Sequence, residues 1–306
     1  MLTTRPAHYN SHSLAIISLT DQLTHQAGVL GQQQITQIKS MPSLAHLPDP
    51  EECLKYCRSI KMRRRTHLLL HPSQISKLRE WHETPGAFPI LITHGRGLRT
   101  IARDFAVDLL EVLRASGVPA IWTLSHTHSD LEIGVSTTDI LLSLSMQALL
   151  LNPQGLNGSP SAISSNHFQS ALTEEQAFKL LDRCISGVSK LYIILDMAVV
   201  NAALDYHDTL INAFIQKFLN LLLAKSGGGI KLVVAAEEFN SNFEVEEQDL
   251  LDNSRIFVGG QSPGIIKRTG GRRGYTRYSS HVFALRSGMN GITNWLSGGA
   301  DTSKNE

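Results

Sequence analysis

From residue 88 onward the chain alternates between two hydrophobic patterns. The short runs FPILITHG, VPAIWTLSH, KLYIILDM and GGGIKLVVAAEE are largely aliphatic and β-branched, with little polar interruption, as strands buried on both faces are. RIFVGG is a candidate fifth. Between them lie stretches with apolar residues at helical spacing. Leu98, Ile101, Phe105, Leu109 and Val112 run up to Gly117, TTDILLSLSMQALLLN follows a threonine cap, and TEEQAFKLLDRCISGV follows Thr173. A segment from about Tyr206 to Lys225 carries Leu210, Phe214, Phe218 and Leu221 on one face. This alternation predicts an α/β fold with a parallel sheet and helices on both faces, three layers in all.

The first third reads differently. Residues 11 to 40 are mostly polar with scattered anchors such as Leu14, Ile17, Ile35 and Ile38, and MPSLAHLPDPEE is a linker. Asp49-Pro50-Glu51-Glu52 is a strong helix start, and the helix it opens is expected to run to about Ile60. The basic cluster Lys61, Arg63, Arg64 and Arg65 is expected to be a solvated helix end whose charge suits the helix dipole, with a nuclear-localisation or phosphate-contact role as the alternative. The expected organisation is a helical N-terminal extension over 1–85, an α/β domain over 86–262 and a basic, partly flexible tail over 263–306.

The 306 residues are 42% hydrophobic and 18% charged, with a formal net charge of +1. That balance gives no global field for nucleic acid or an acidic membrane. Locally, the acid-rich stretch 237–252 contains no base and the basic stretch 267–286 contains no acid, so mutual pairing is expected. The alternative is a nucleic-acid grip through Arg272, Arg273 and Arg277. Three cysteines, Cys53, Cys57 and Cys184, form no disulfide framework and fit a reducing compartment. No apolar run reaches the roughly 18 residues of a membrane-spanning helix. A cytoplasmic protein without membrane association is expected, with the nucleus as an alternative address.

Candidate chemistry centres on ITHGRGLRT, residues 92–100, where a strand hands over to a helix. A phosphate loop reads G-x-x-x-x-G-K-[ST] in that context; its glycines let backbone N–H groups curl around phosphate, its lysine reaches the terminal phosphates and its hydroxyl holds magnesium. With Thr100 at the hydroxyl position, Arg99 replaces the lysine, Leu98 the last glycine and Thr93 the first, while Gly95, Arg96 and Gly97 fall at inner positions. A planar guanidinium is not a point charge on a flexible stem, and Leu98 brings a side chain where the loop needs none. LYIILD then has the form of an apolar strand ending in an acid, Asp196, suited to holding magnesium through water. The following MAVVN supplies no acid to activate a water.

The series PILITHGRGLRTIARDFAVDLLEVLRASGVPAIWTLS, LYIILDM and IKLVVAAEE, over roughly residues 50–240, resembles the nucleotide domain of NACHT-type STAND NTPases, especially a divergent fungal group with a degenerate P-loop. The resemblance implies a P-loop NTPase-like domain, nucleotide-switched oligomerisation and signalling. It assigns Gly95 to Thr100 to the phosphate loop, Asp196 to magnesium, and ATP or GTP with magnesium as cofactor. The chain departs from that pattern at the missing lysine, at the missing acids after Asp196, and at Ala235 or Ala236, where a polar residue is implied.

Two further motifs compete. SHTHSD places His126, His128 and Asp130 in the His-x-His-x-Asp pattern of dinuclear metal hydrolases, with His167, His207 or His281 as further ligands; a polar loop is the simpler reading. GQSPG, residues 260–264, matches a nucleophile elbow, but Pro263 removes an N–H where an oxyanion donor is needed, so a glycine-rich turn is expected. Together these readings predict a degenerate P-loop domain that acts by binding or assembly through a protein partner or self-association, without hydrolysis. A weak ATPase or GTPase switch is the first alternative, and a metal-dependent hydrolase the second.

Overall fold

The computed structural model describes residues 31–64, 67–84, 90–96, 100–125, 134–153, 163–225, 229–236 and 255–261. The helices are α1, described over 31–39, then α2 (Pro42–Ala45), α3 (Pro50–Arg64), α4 (Pro72–Glu83), α5 (Ile101–Ala115), α6 (Thr137–Leu151), α7 (Ser165–Ser170), α8 (Glu174–Ile185), α9 (Met197–Ala203) and α10 (Asp208–Leu223). The strands are β1 (His67–Leu70), β2 (Ile90–Arg96), β3 (Ala120–Thr123), β4 (Leu191–Asp196), β5 (Ile230–Ala236) and β6 (Arg255–Gln261).

The strands form one sheet in the order β1-β6-β2-β5-β4-β3. β6, β2, β5, β4 and β3 run parallel, and β1 closes one edge antiparallel to β6. The five apolar runs are thus all strands, and their continuous hydrophobicity follows from burial on both faces. Ile92, Ile193, Leu195, Leu232 and Val234 face a core shared with α1, α6, α8 and α10. Leu91, Trp122, Ile194, Val233 and Ile256 face a second core built with α3, α4 and α5. This is an α/β fold with helices on both faces.

The crossovers explain the two layers. From β2 the chain passes through α5 and skips two strands to reach β3; it then returns stepwise through β4 to β5 by way of α6 to α10. Parallel crossovers keep one hand, so reversing direction along the sheet requires the opposite face. α5 accordingly lies on one face and the returning helices on the other.

Residues 50–83 are integral to this unit, although they lie inside the stretch read as a helical extension. β1 extends the sheet, and α3 packs on α5 through Arg114–Glu51 (2.9 Å), Arg58–Glu111 (3.0 Å), Lys61–Asp108 and Arg64–Asp104 (3.9 Å). Lys61 and Arg64 therefore do not form a solvated helix end as expected: they lie against an acidic stripe on α5, whereas Arg63 stays exposed.

β3 is an edge strand, and an exposed edge is a template for unwanted pairing. Here the side-chain amide of Gln147 on α6 occupies part of that edge. The Trp122 N–H donates to Gln147 Oε1 at 3.0 Å, and Gln147 Nε2 donates to the Trp122 carbonyl at 2.9 Å. At the amino end of the central strand β5, Lys231, the one polar residue of that strand, donates to the carbonyls of Trp81 and His82 at the end of α4. A cation there suits the orphan carbonyls and the helix dipole.

Candidate functional site

Open α/β sheets bind ligands at the carboxyl ends of their strands, where neighbouring connections leave toward opposite faces. In this sheet β2 leads into α5 on one face, and β4, with β5 between the two strands, leads into α9 toward the other core. Thr100, the N-cap of α5, and Asp196, the last residue of β4, both lie at that end.

The segment read as a phosphate loop divides. Thr93 is buried in β2 and its hydroxyl donates to the Val234 carbonyl at 3.2 Å. Gly95 and Arg96 continue β2, in register with Val258 and Gly259 of β6. Gly97, Leu98 and Arg99 lie outside the described residues. The backbone from Thr93 to Arg96 is thus extended, and only residues 97–100 connect β2 to α5, a shorter link than the G-x-x-x-x-G frame provides. At the head of α5, Arg64 Nη1 donates to the Thr100 hydroxyl, and the same guanidinium nitrogen lies 3.9 Å from Asp104 Oδ1. Asp104 is 2% exposed. Burial pushes its carboxyl up, against the opposing pull of Arg64, Lys61 and Arg103, and its Oδ2 has no hydrogen-bond partner.

Asp196 is fully buried. Its Oδ2 accepts the Ser125 N–H at 3.1 Å and its Oδ1 accepts the Ala198 N–H at 3.1 Å, which caps α9. The Ser125 carbonyl in turn accepts the Cys57 thiol at 3.1 Å, so α3, the end of β3 and the end of β4 are joined through one residue. Burial pushes the Cys57 thiol up to about 12, despite the nearby Arg103, which makes it an inert structural thiol. Trp122 anchors the start of α3 by donating its indole N–H to the Pro50 carbonyl at 3.1 Å.

These contacts compete with a magnesium ion at Thr100 and Asp196 without using every acceptor site of the carboxylate. The hydroxyl already accepts from a guanidinium, and both Asp196 oxygens accept backbone N–H groups. Two unit charges of like sign 4 Å apart repel by about 4 kcal/mol at an effective dielectric near 20, and a divalent ion doubles that. Ala235 and Ala236 at the end of β5 are buried and bring no polar group.

The other motifs contribute less. His126, His128 and Asp130 lie outside the described residues, as does His281. His167 caps α7, its Nδ1 accepting the Ser164 N–H at 3.0 Å, and His207 precedes α10. Among the described residues no group of three or more His, Cys, Asp or Glu side chains is placed to hold a metal. Gly260 and Gln261 belong to β6; Ser262 to Gly264, the acidic stretch 237–252, and Arg272, Arg273 and Arg277 lie outside the described residues. Also among the described residues, no helix is long and apolar enough to cross a membrane.

Sequence reasoning did not pair Arg64, weighed as a solvated helix end or a phosphate contact, with Asp104, and it passed over Ser125 at this end of the sheet. A signal for the first two was present: Arg58, Lys61 and Arg64 share one helical face, and Asp104, Asp108 and Glu111 share another. Ser125 gave none, because it acts through its backbone. No protein-family profile matches the chain, and neither the curated proteins nor the solved structures contain a match to it.

Proposed function

We propose that the chain is a degenerate P-loop NTPase-like domain that acts by binding or assembly and not by hydrolysis. Its ligand is a phosphate-bearing molecule such as ATP, GTP or ADP at the head of α5. The reading is supported most by the pairing of position and chemistry at the carboxyl end of the sheet. Thr100 and Asp196 stand where the connections diverge, yet Arg64 and two backbone N–H groups engage them. Arg103, in the first turn of α5, adds positive charge at a helix N-terminus, which favours an anion. The NACHT/STAND resemblance agrees with this position and adds switched self-association as the mode of action.

Thermal denaturation with millimolar ATP, GTP or ADP tests the reading, since a ligand that binds the native state raises its stability. A concentration-dependent rise in Tm, with phosphate release at the level of buffer alone, is expected. No rise with any of the three nucleotides overturns the binding reading. Phosphate release that disappears in Asp196→Ala replaces it with an active ATPase or GTPase.

A further inference from the structure

We infer that the cavity beside the end of β3 binds a small neutral molecule, a short aliphatic body with one alcohol or amide head, and that this head bonds the Thr123 hydroxyl. The site lies apart from the proposed phosphate site at the head of α5 and does not depend on it. The cavity measures about 70 Å³, is open to solvent, and takes its walls from the α2–α3 link, the start of α3, β3, α6 and α9. Leu47, Pro48, Val135, Ile140 and Val199 make most of that wall apolar. Thr123 is the exception. Side chains along β3 alternate between faces: Ile121 belongs to the core shared with α6 and α8, whereas Trp122 and Leu124 belong to the core built with α3 and α5. Thr123 therefore projects on the α6 side, toward the layer from which Ile140 and Val199 line the cavity. It is 9% exposed, and its Oγ1 is buried with no hydrogen-bond partner among the described residues.

An unpaired buried hydroxyl is costly, and valine has nearly the same shape without that cost. A ligand that supplies the missing partner removes the cost. The threonine hydroxyl can donate to a carbonyl or accept from an amide or an alcohol. The volume is about half of the roughly 150 Å³ that hold a benzene ring, which suits a body of about two or three carbons. Asp139 brings a carboxylate to the lining. Its Oδ2 accepts the N–H and the hydroxyl of Ser136 at 2.9 and 2.8 Å, and its Oδ1 faces His46 Nε2 at 3.3 Å. The carboxylate repels an anion, and its existing partners compete with a cation, so a neutral ligand fits best.

Methyl-resolved NMR of the full chain, titrated with propanamide, 1-propanol and propionate, gives the test. The methyl signals of Thr123, Ile140 and Val199 should shift saturably with propanamide and 1-propanol, with Kd in the millimolar range. Propionate should bind at least fivefold more weakly. Thr123→Val should keep or raise the Tm of the unliganded protein and weaken propanamide by at least fivefold. A lower Tm in that variant, or its failure to fold, means that the hydroxyl is already satisfied, as by an ordered water, and overturns the inference. So do the absence of saturable shifts at the three methyl groups, propionate binding as tight as that of propanamide, and a Thr123→Val affinity equal to the parent's. None of these probes carries a phosphate, so each of these outcomes leaves the nucleotide reading standing or falling by its own test.

Discussion

The carboxylate of Asp196 accepts the backbone N–H of Ser125 across the ends of β4 and β3, and its other oxygen caps α9. An acid at the end of an apolar strand is thereby a joint between two strands and a helix. Asp196→Asn turns at least one amide donor toward groups that are themselves donors. Its cost should be about 2–4 kcal/mol, the range for a buried charged hydrogen-bonding group, measured as a fall in the urea midpoint. Phosphate release should stay at background in the variant as in the parent.

Gln147 substitutes for a strand at the edge of the sheet by pairing with both backbone groups of Trp122. Gln147→Leu keeps the volume and strands both groups in a buried setting, at about 1–3 kcal/mol for each. Light scattering should also show more self-association than the parent, because the backbone groups of Trp122 at the β3 edge lose their internal partners.

Acid and alkaline stability should carry two separate signatures from the amino end of β4 and β5. His82 lies against Tyr192, whose hydroxyl it meets through Nδ1. Burial lowers its pKa to about 4, with Lys190 and Lys231 adding to the effect. The unfolded state then takes up a proton near pH 6.5 and the folded state only near 4, so stability falls as pH drops through that window. His82→Asn should flatten the slope of unfolding free energy against pH between 6.5 and 4.

Lys231 behaves in the same direction at higher pH. Burial lowers its pKa to about 8, with Lys190 second. Between pH 8 and about 10.5 the unfolded chain holds a proton that the folded chain has released, so this group's contribution to stability rises with pH across that interval. Lys231→Met should remove the rise; denaturant titrations at three or four pH values measure it.

The turn after α9 holds two non-glycine residues in left-handed conformations, Asp205 at φ 49 and Tyr206 at φ 58. The Tyr206 N–H bonds the Asn201 carbonyl at 2.8 Å and the Asp205 N–H bonds the Ala202 carbonyl at 3.4 Å, the pairing that ends a helix with a glycine in most proteins. Asp205→Gly should raise stability by about 0.5–1 kcal/mol, the left-handed penalty less the entropy of a freer unfolded chain. Calorimetric Tm reads the gain.

Legibility in the sequence followed the strength of the periodic signal. The five parallel strands were readable because each is apolar on both faces, and α5, α6, α8 and α10 because their stripes or caps are long. β1 is only HLLL, four residues, too short to show a period of two, and its partner β6 comes last among the strands, at Arg255–Gln261. α9 was missed because its cap, Asp196, reads equally well as a metal ligand. The basic run after Ile60 was misread in part because its acidic partners sit on a helix forty to fifty residues later, a distance over which sequence pattern alone gives no register.

The place of β6 between β2 and β1 also bears on how the protein can be made. β1 and β2 emerge early in synthesis but do not touch each other in the sheet. β2 can pair with β5 on one side, but its other edge, and the whole of β1, wait for Arg255–Gln261. Premature termination before Arg255 would leave that edge of β2 open and β1 without its partner, so such fragments should be the aggregation-prone products of this chain.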